Sequence, residues 1–105
     1  MNRLEYLLQL RAEQPNDAFT LFALAKEYEK AQDNETALGY YLELKEKHPD
    51  YVGLYYHLGK LLEKREDFPA AISTYKTGLD VAKAAKDMHA YGELNGALME
   101  IDEDA

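Results

Sequence analysis

The sequence repeats itself with a period of 34 residues. Pairs of identical residues stand one period apart: Pro15 and Pro49, Leu24 and Leu58, Ala37 and Ala71, and Tyr41 and Tyr75. A fixed period of roughly 20 to 50 residues is typical of chains built from stacked supersecondary units. In such arrays each unit buries its apolar face against its neighbours. The period therefore constrains the fold of these 105 residues more than any other feature.

The apolar spacing predicts two helices in each unit. In both copies, four core residues follow one another at intervals of three, one and three, which is typical of one face of a helix. These residues are Leu21, Leu24, Ala25 and Tyr28 in the first copy, and Tyr55, Leu58, Gly59 and Leu62 in the second. A second apolar face follows in each copy, beginning at Ala37 and at Ala71. Two helices joined by a short turn form an antiparallel hairpin.

These positions resemble the tetratricopeptide repeat (TPR) pattern, W-x2-L-G-x2-Y followed by A-x3-F and a proline. The first copy matches it at Leu21, Leu24, Ala25, Tyr28, Ala37, Tyr41 and Pro49, with Leu for Trp, Ala for Gly and Tyr for Phe. The second copy matches it at Tyr55, Leu58, Gly59, Leu62, Ala71 and Tyr75. The resemblance covers residues 18 to about 85. It implies an all-α fold, an α-solenoid of antiparallel helix hairpins in a TPR superhelix.

We expect one TPR domain over residues 1–105 with about six helices, roughly at 3–13, 17–31, 35–47, 51–65, 68–85 and 87–101. Its parts are an N-terminal half-repeat helix (1–15), repeat 1 (16–49), repeat 2 with an extended second helix (50–85), a C-terminal capping helix (86–101) and an acidic tail (102–105). The extension is expected because the family's proline is missing near Lys83. Asn2, Asp33 and Asp67 are expected to cap helices.

The small core residues predict close contact between the two helices of each hairpin. Ala25 is expected to face Ala37, and Gly59 to face Ala71, with tyrosine rings filling the space around each crossing.

Charge and composition narrow the range of partners. The chain has 20 acidic and 12 basic residues, a formal net charge of −8, which disfavours nucleic acid and anionic membranes as partners. It has no cysteine, so it lacks a disulfide framework and thiolate ligands, as is common in the cytoplasm. The sequence shows neither a signal peptide nor a membrane span. We expect a cytoplasmic protein that is a monomer or a weak homodimer.

No residue pattern indicates catalysis. The single serine, Ser73, has no nearby histidine in the sequence that could activate it. His48, His57 and His89 do not form a metal-binding motif, and His48 stands at a helix end. His89 and Glu93 are four residues apart, but two ligands make an incomplete metal site. We expect a non-enzyme without cofactor or metal.

The face of each first helix opposite the core stripe is the candidate binding surface. It carries Phe19, Phe22, Lys26 and Lys30 in the first copy, and Tyr56, Lys60 and Lys64 in the second. The resemblance implies that this face lines a concave groove that binds a peptide or a partner protein segment. Lysines and aromatic rings suit a partner with acidic and apolar side chains. The family's dicarboxylate clamp is not matched, because Phe22, Lys26 and His57 stand where Lys and Asn would be needed.

A second interpretation of the same residues is purely structural. Glu29 and Glu63 follow Lys26 and Lys60 by three residues and could simply neutralise them. Phe19 or Phe22 could pack on the first helix.

Two functional hypotheses follow. The leading one is a non-catalytic adaptor that binds a partner in the groove. The alternative is a self-associating structural module, a homodimer through the solenoid ends. It is considered because stability usually requires about three complete repeats and this sequence has two. Whether the acidic tail occupies the lysine groove stays open.

Overall fold

The computed structural model describes residues 1–102, and all regular secondary structure in that range is α-helix. The helices are α1 (Arg3–Glu13), α2 (Ala18–Lys30), α3 (Asn34–Lys47), α4 (Gly53–Lys64), α5 (Phe68–Ala84) and α6 (Met88–Ile101). The predicted all-α fold is confirmed. The chain forms two compact units, Met1–Pro49 with α1 to α3 and Asp50–Ala105 with α4 to α6. Residues 103–105 of the predicted acidic tail lie outside the described residues.

Five of the helices are preceded by an N-cap residue with a short acidic or amide side chain. Asn2, Asp33 and Asp67 each accept a hydrogen bond from a backbone N–H in the first turn, as predicted. Asp17 and Asp87 do the same for α2 and α6. Such caps stabilise a helix by about 1 kcal/mol each because they satisfy N–H groups that have no partner within the helix.

Three of the helix-to-helix turns share one backbone conformation. Gln32, Glu66 and Lys86 have φ of 63°, 60° and 59°, which is left-handed. The aspartate after each of them donates its N–H to a carbonyl near the end of the preceding helix, for example Asp67 to Leu62 at 2.9 Å. This bond closes the helix end, and the same aspartate then caps the next helix. One short turn therefore reverses the chain at these three places.

The first unit is built around the α2–α3 hairpin. Leu24, Ala25, Ala37 and Tyr41 have no measurable exposure. α1 covers another side of α2, where Leu7 packs with Leu24 in a small cluster. The half-repeat helix thus shields apolar surface of α2 that would otherwise face solvent.

The second unit depends on glycine at two helix contacts. A Cβ on Gly59 would stand 2.1 Å from the Tyr75 ring, and one on Gly78 would stand 2.6 Å from the Cβ of Tyr55. The prediction that a tyrosine ring fills the space beside Gly59 is therefore confirmed, and the ring is that of Tyr75. α5 is 17 residues long, against 14 for α3, in line with the predicted extension. It packs against both α4 and α6.

Candidate functional site

In the first unit, the predicted site residues lie along α2, and we call Phe19, Phe22, Lys26 and Lys30 the α2 strip. Phe19 is 60% exposed, and both lysines are exposed. Phe22 is half-buried, with its ring edge-on to Tyr41 at a centroid distance of 6.3 Å. Phe22 thus contacts the second helix of its own hairpin, whereas Phe19 presents most of its surface to solvent.

The end of the α2 strip borders a cleft between α1 and α2. Lys30 lines this cleft together with Arg3, whose guanidinium pairs with Glu27 at 2.9 Å. The cleft is open to solvent, so it offers no enclosed cavity for a small molecule.

In the second unit, the predicted residues lie along α4, and we call Tyr56, Lys60 and Lys64 the α4 strip. The Nζ of Lys60 lies 5.6 Å from the centroid of the Tyr56 ring, within the range of a cation–π interaction. Tyr56 also meets His57 edge-on at 5.6 Å between ring centroids. Tyr56 and Lys60 are half-buried and Lys64 is exposed. The strip therefore combines a positioned aromatic ring with two cations.

Two carboxylates approach the ammonium group of Lys60. The Oε2 of Glu63 is 3.6 Å from Nζ, as the structural interpretation of the sequence anticipated. The Oε2 of Glu100, in the last turn of α6, is 3.7 Å away. Sequence reasoning missed Glu100 as a partner of Lys60. It left open whether the acidic end of the chain occupies the lysine groove, without singling out Glu100.

Each hairpin also contains a buried tyrosine bonded to a glutamate of its first helix. The hydroxyl of Tyr41 donates to Glu29, and the hydroxyl of Tyr75, one period later, donates to Glu63. Burial is the main cause that raises the pKa of both tyrosines far above the ordinary value, and the neighbouring carboxylate raises it further. Both hydroxyls therefore stay protonated and hold Glu29 and Glu63 in place.

His48 and His89 each lie close to another group of the protein. The Nε2 of His48 lies 2.6 Å from the backbone oxygen of Asn16. His89 lies 3.5 Å from Glu93, and both side chains are exposed. Within residues 1–102, no group of three or more His, Asp or Glu side chains is arranged to hold a metal ion. Among the described helices, none has both the length and the apolar character needed to cross a membrane.

Comparison with solved structures identifies the family. The crystal structure of a tetratricopeptide repeat domain protein from Salinibacter ruber is 40% identical, with a TM-score of 0.80 over 85% of this chain and 99% of that one. A solution NMR structure of a Salinibacter ruber TPR domain protein is also 40% identical, with a TM-score of 0.81 over 88% and 93%. The chain belongs to the tetratricopeptide repeat family. TPR domains generally serve protein–protein interaction and are typically non-catalytic scaffolds.

A more distant structure supports the fold alone. The solution structure of a protein from Bordetella parapertussis is 23% identical, with a TM-score of 0.83 over 99% of this chain and 90% of that one. No protein-family model and no curated protein sequence matches the chain.

Proposed function

We propose that this protein is a non-catalytic adaptor that binds a peptide or a segment of a partner protein through the α2 and α4 strips. The observation that carries the proposal is the α4 strip, in which Lys60 stands over the ring of Tyr56. A half-buried aromatic ring beside a cation can contact an apolar side chain and a carboxylate of one ligand. The partner chemistry is accordingly acidic and apolar.

The α2 strip supports the same proposal independently. Phe19 is 60% exposed, so its ring is available to pack against an apolar side chain of a ligand. Phe19 precedes two exposed lysines on the same helix, so the first unit repeats the combination of aromatic and cationic groups. Cytoplasmic action is part of the proposal, and the lack of cysteine is compatible with it.

The test is a selection from a phage-displayed random dodecapeptide library on the immobilised protein. Enriched peptides are then titrated against wild type, Lys60→Gln and Lys83→Gln. Lys83 is an exposed lysine of α5, so its variant makes the same charge change outside the strips. We expect Lys60→Gln to weaken binding about ten-fold, as loss of a charge-assisted contact does, and Lys83→Gln to change it by less than about two-fold. Equal affinities for all three proteins contradict the proposal.

The self-association hypothesis is the second candidate. The observation that favours it is the exposure of two methionines on α6, Met88 at 64% and Met99 at 59%. Light scattering decides between the candidates, because the second requires the molar mass of a dimer. A monomer of 12.0 kDa at micromolar concentration removes it.

A further inference from the structure

We infer that Lys60 is the position of the α4 strip that receives a carboxylate of the partner, and that Glu100 occupies this position until the partner displaces it. The inference rests on the proposed function and adds the chemistry and the regulation of the same site. All residues that carry it lie in the second unit, on α4, α5 and the end of α6.

The two carboxylates at Lys60 differ in how firmly they are held. Glu63 is 20% exposed and accepts the hydroxyl of the buried Tyr75, so it is fixed in the hairpin. Glu100 is 71% exposed and reaches Lys60 at 3.7 Å. Ion pairs of long, exposed side chains contribute little to stability. Glu100 is therefore the carboxylate that an incoming ligand can replace.

The charges at Lys60 explain why a ligand carboxylate must replace Glu100 rather than bind beside it. Lys60, Glu63 and Glu100 together carry a net charge of −1, so a further carboxylate beside them is repelled. When a ligand carboxylate takes the place of Glu100, the number of anions at Lys60 stays the same. Lys64, one helical turn later, then adds attraction. The fitting partner thus offers an aspartate or glutamate to Lys60 and an apolar side chain to the Tyr56 ring.

Displacement needs only a side-chain movement. Asp102, directly after α6, pairs with Lys76 of α5 at 3.8 Å and is 17% exposed. Leu94 and Leu98 bury the inner face of α6. The helix thus stays in place while the Glu100 side chain changes rotamer, a motion that exposed side chains make within nanoseconds.

The experiment uses one fluorescently labelled peptide, the most enriched acidic sequence from the dodecapeptide selection described above. It is titrated against wild type, Glu100→Gln, Glu93→Gln and Lys60→Gln of the full chain. Glu93 also lies on α6 and is 51% exposed, but its carboxylate lies beside His89, at 3.5 Å from Nε2. The two glutamate variants therefore change the net charge equally, but only Glu100→Gln removes a carboxylate from Lys60.

We expect Glu100→Gln to bind the peptide about three- to five-fold more tightly than wild type, which matches removal of one exposed ion pair. Glu93→Gln should stay within about 1.5-fold, because its charge is more distant from Lys60 and is screened. Equal effects of the two glutamate variants overturn the inference while the proposed function stands. If no acidic peptide is enriched, or if Lys60→Gln binds as wild type does, both the inference and the proposed function fail.

Discussion

Within residues 1–102, three residues with side chains, Gln32, Glu66 and Lys86, adopt a left-handed backbone conformation that glycine adopts at no steric cost. A left-handed φ destabilises the folded state of an L-residue by about 1 to 2 kcal/mol. Glycine avoids this steric cost, but it lowers the stability by about 0.5 to 1 kcal/mol because its unfolded chain has more conformational freedom. For Glu66, with φ of 60°, the steric cost of the left-handed backbone is larger than the entropic cost of glycine. We expect Glu66→Gly to raise the free energy of unfolding by about 0.5 kcal/mol, measured by urea denaturation.

Valine provides the opposite substitution at this position. A β-branched side chain at positive φ is strongly disfavoured, so Glu66→Val should lower the free energy of unfolding by about 1 kcal/mol or more. A valine variant as stable as the glycine variant would show that the turn does not hold this conformation in solution.

Glycine at position 59 has a different role, because it makes room for a ring. An alanine Cβ there would stand 2.1 Å from Tyr75, so the ring must move. We expect Gly59→Ala to lower the free energy of unfolding by about 2 kcal/mol, as overpacking of a core does. Thermal and urea denaturation measure the change.

Gly39 of α3 is the matched control for this substitution. Nothing lies within 4 Å of a Cβ at that position, and the residue is exposed. Gly39→Ala should therefore raise the free energy of unfolding by about 0.5 to 1 kcal/mol through helix propensity alone. The same sign for both variants would contradict the proposed close contact at Gly59.

The hydroxyl of Tyr75 links two helices, since it lies on α5 and donates to Glu63 on α4. Burial, reinforced by Glu63, raises its pKa above the value of about 10 in the unfolded chain. The stability that this provides is complete below pH ~10 and is lost as the pH rises further, because the unfolded state releases the proton first. Each such tyrosine lowers the free energy of unfolding by up to about 1.4 kcal/mol per pH unit.

We therefore expect Tyr75→Phe to be less stable than wild type by about 1 kcal/mol at neutral pH. The difference should shrink above pH ~10, where only wild type loses stability through this residue. Urea denaturation at pH 7 to 11 measures both curves, with Tyr6→Phe on the exposed surface of α1 as the control. A constant difference across this range would contradict the role of the buried hydroxyl.

At the level of helices, the sequence was most informative where local chemistry decides the structure. The caps at Asp33 and Asp67 and the extension of α5 could be predicted because propensity and capping act between near neighbours. The start of α4 was placed about two residues too early, at 51, since Val52 precedes Gly53 without a side-chain cap. Helix boundaries without such a signal are poorly determined by sequence.

The candidate site was predictable only in part. The periodic lysines and aromatic residues of α2 and α4 follow from the 34-residue repeat. The contact between Glu100 and Lys60 does not, because it joins residues 40 positions apart and depends on how α6 packs in the second unit. A tyrosine ring at the Gly59 crossing was predicted, but the direction of the Tyr75 ring over Gly59 was not, since side-chain direction at a helix crossing is a tertiary property.

For the whole molecule, the positive charges of Lys60 and Lys64 in the α4 strip are outweighed by the net charge of −8. At ~0.01 M salt the Debye length is ~30 Å, so an acidic ligand experiences the charge of the whole protein. At ~0.1 M it is ~10 Å, and at ~1 M only ~3 Å, where even the Lys60 contact is screened.

We therefore expect the affinity for an acidic peptide to be highest at intermediate salt and lower at both ~0.01 M and ~1 M. Fluorescence titration at the three concentrations measures this dependence. An uncharged peptide of equal length, which should show no maximum, is the control. Affinity that falls steadily from the lowest salt concentration would show that the overall negative charge does not oppose binding.

The most direct test of the binding surface is a chemical-shift map. The ¹⁵N-labelled protein is titrated with the selected acidic peptide, and the amide shifts are followed by heteronuclear NMR. Binding through the strips predicts that the largest changes fall on α2 and α4, including Tyr56, Lys60 and Lys64, with small changes on α3 and on the outer face of α5. Changes concentrated around Met88 in the first turn of α6, or on α3, would contradict binding through these strips.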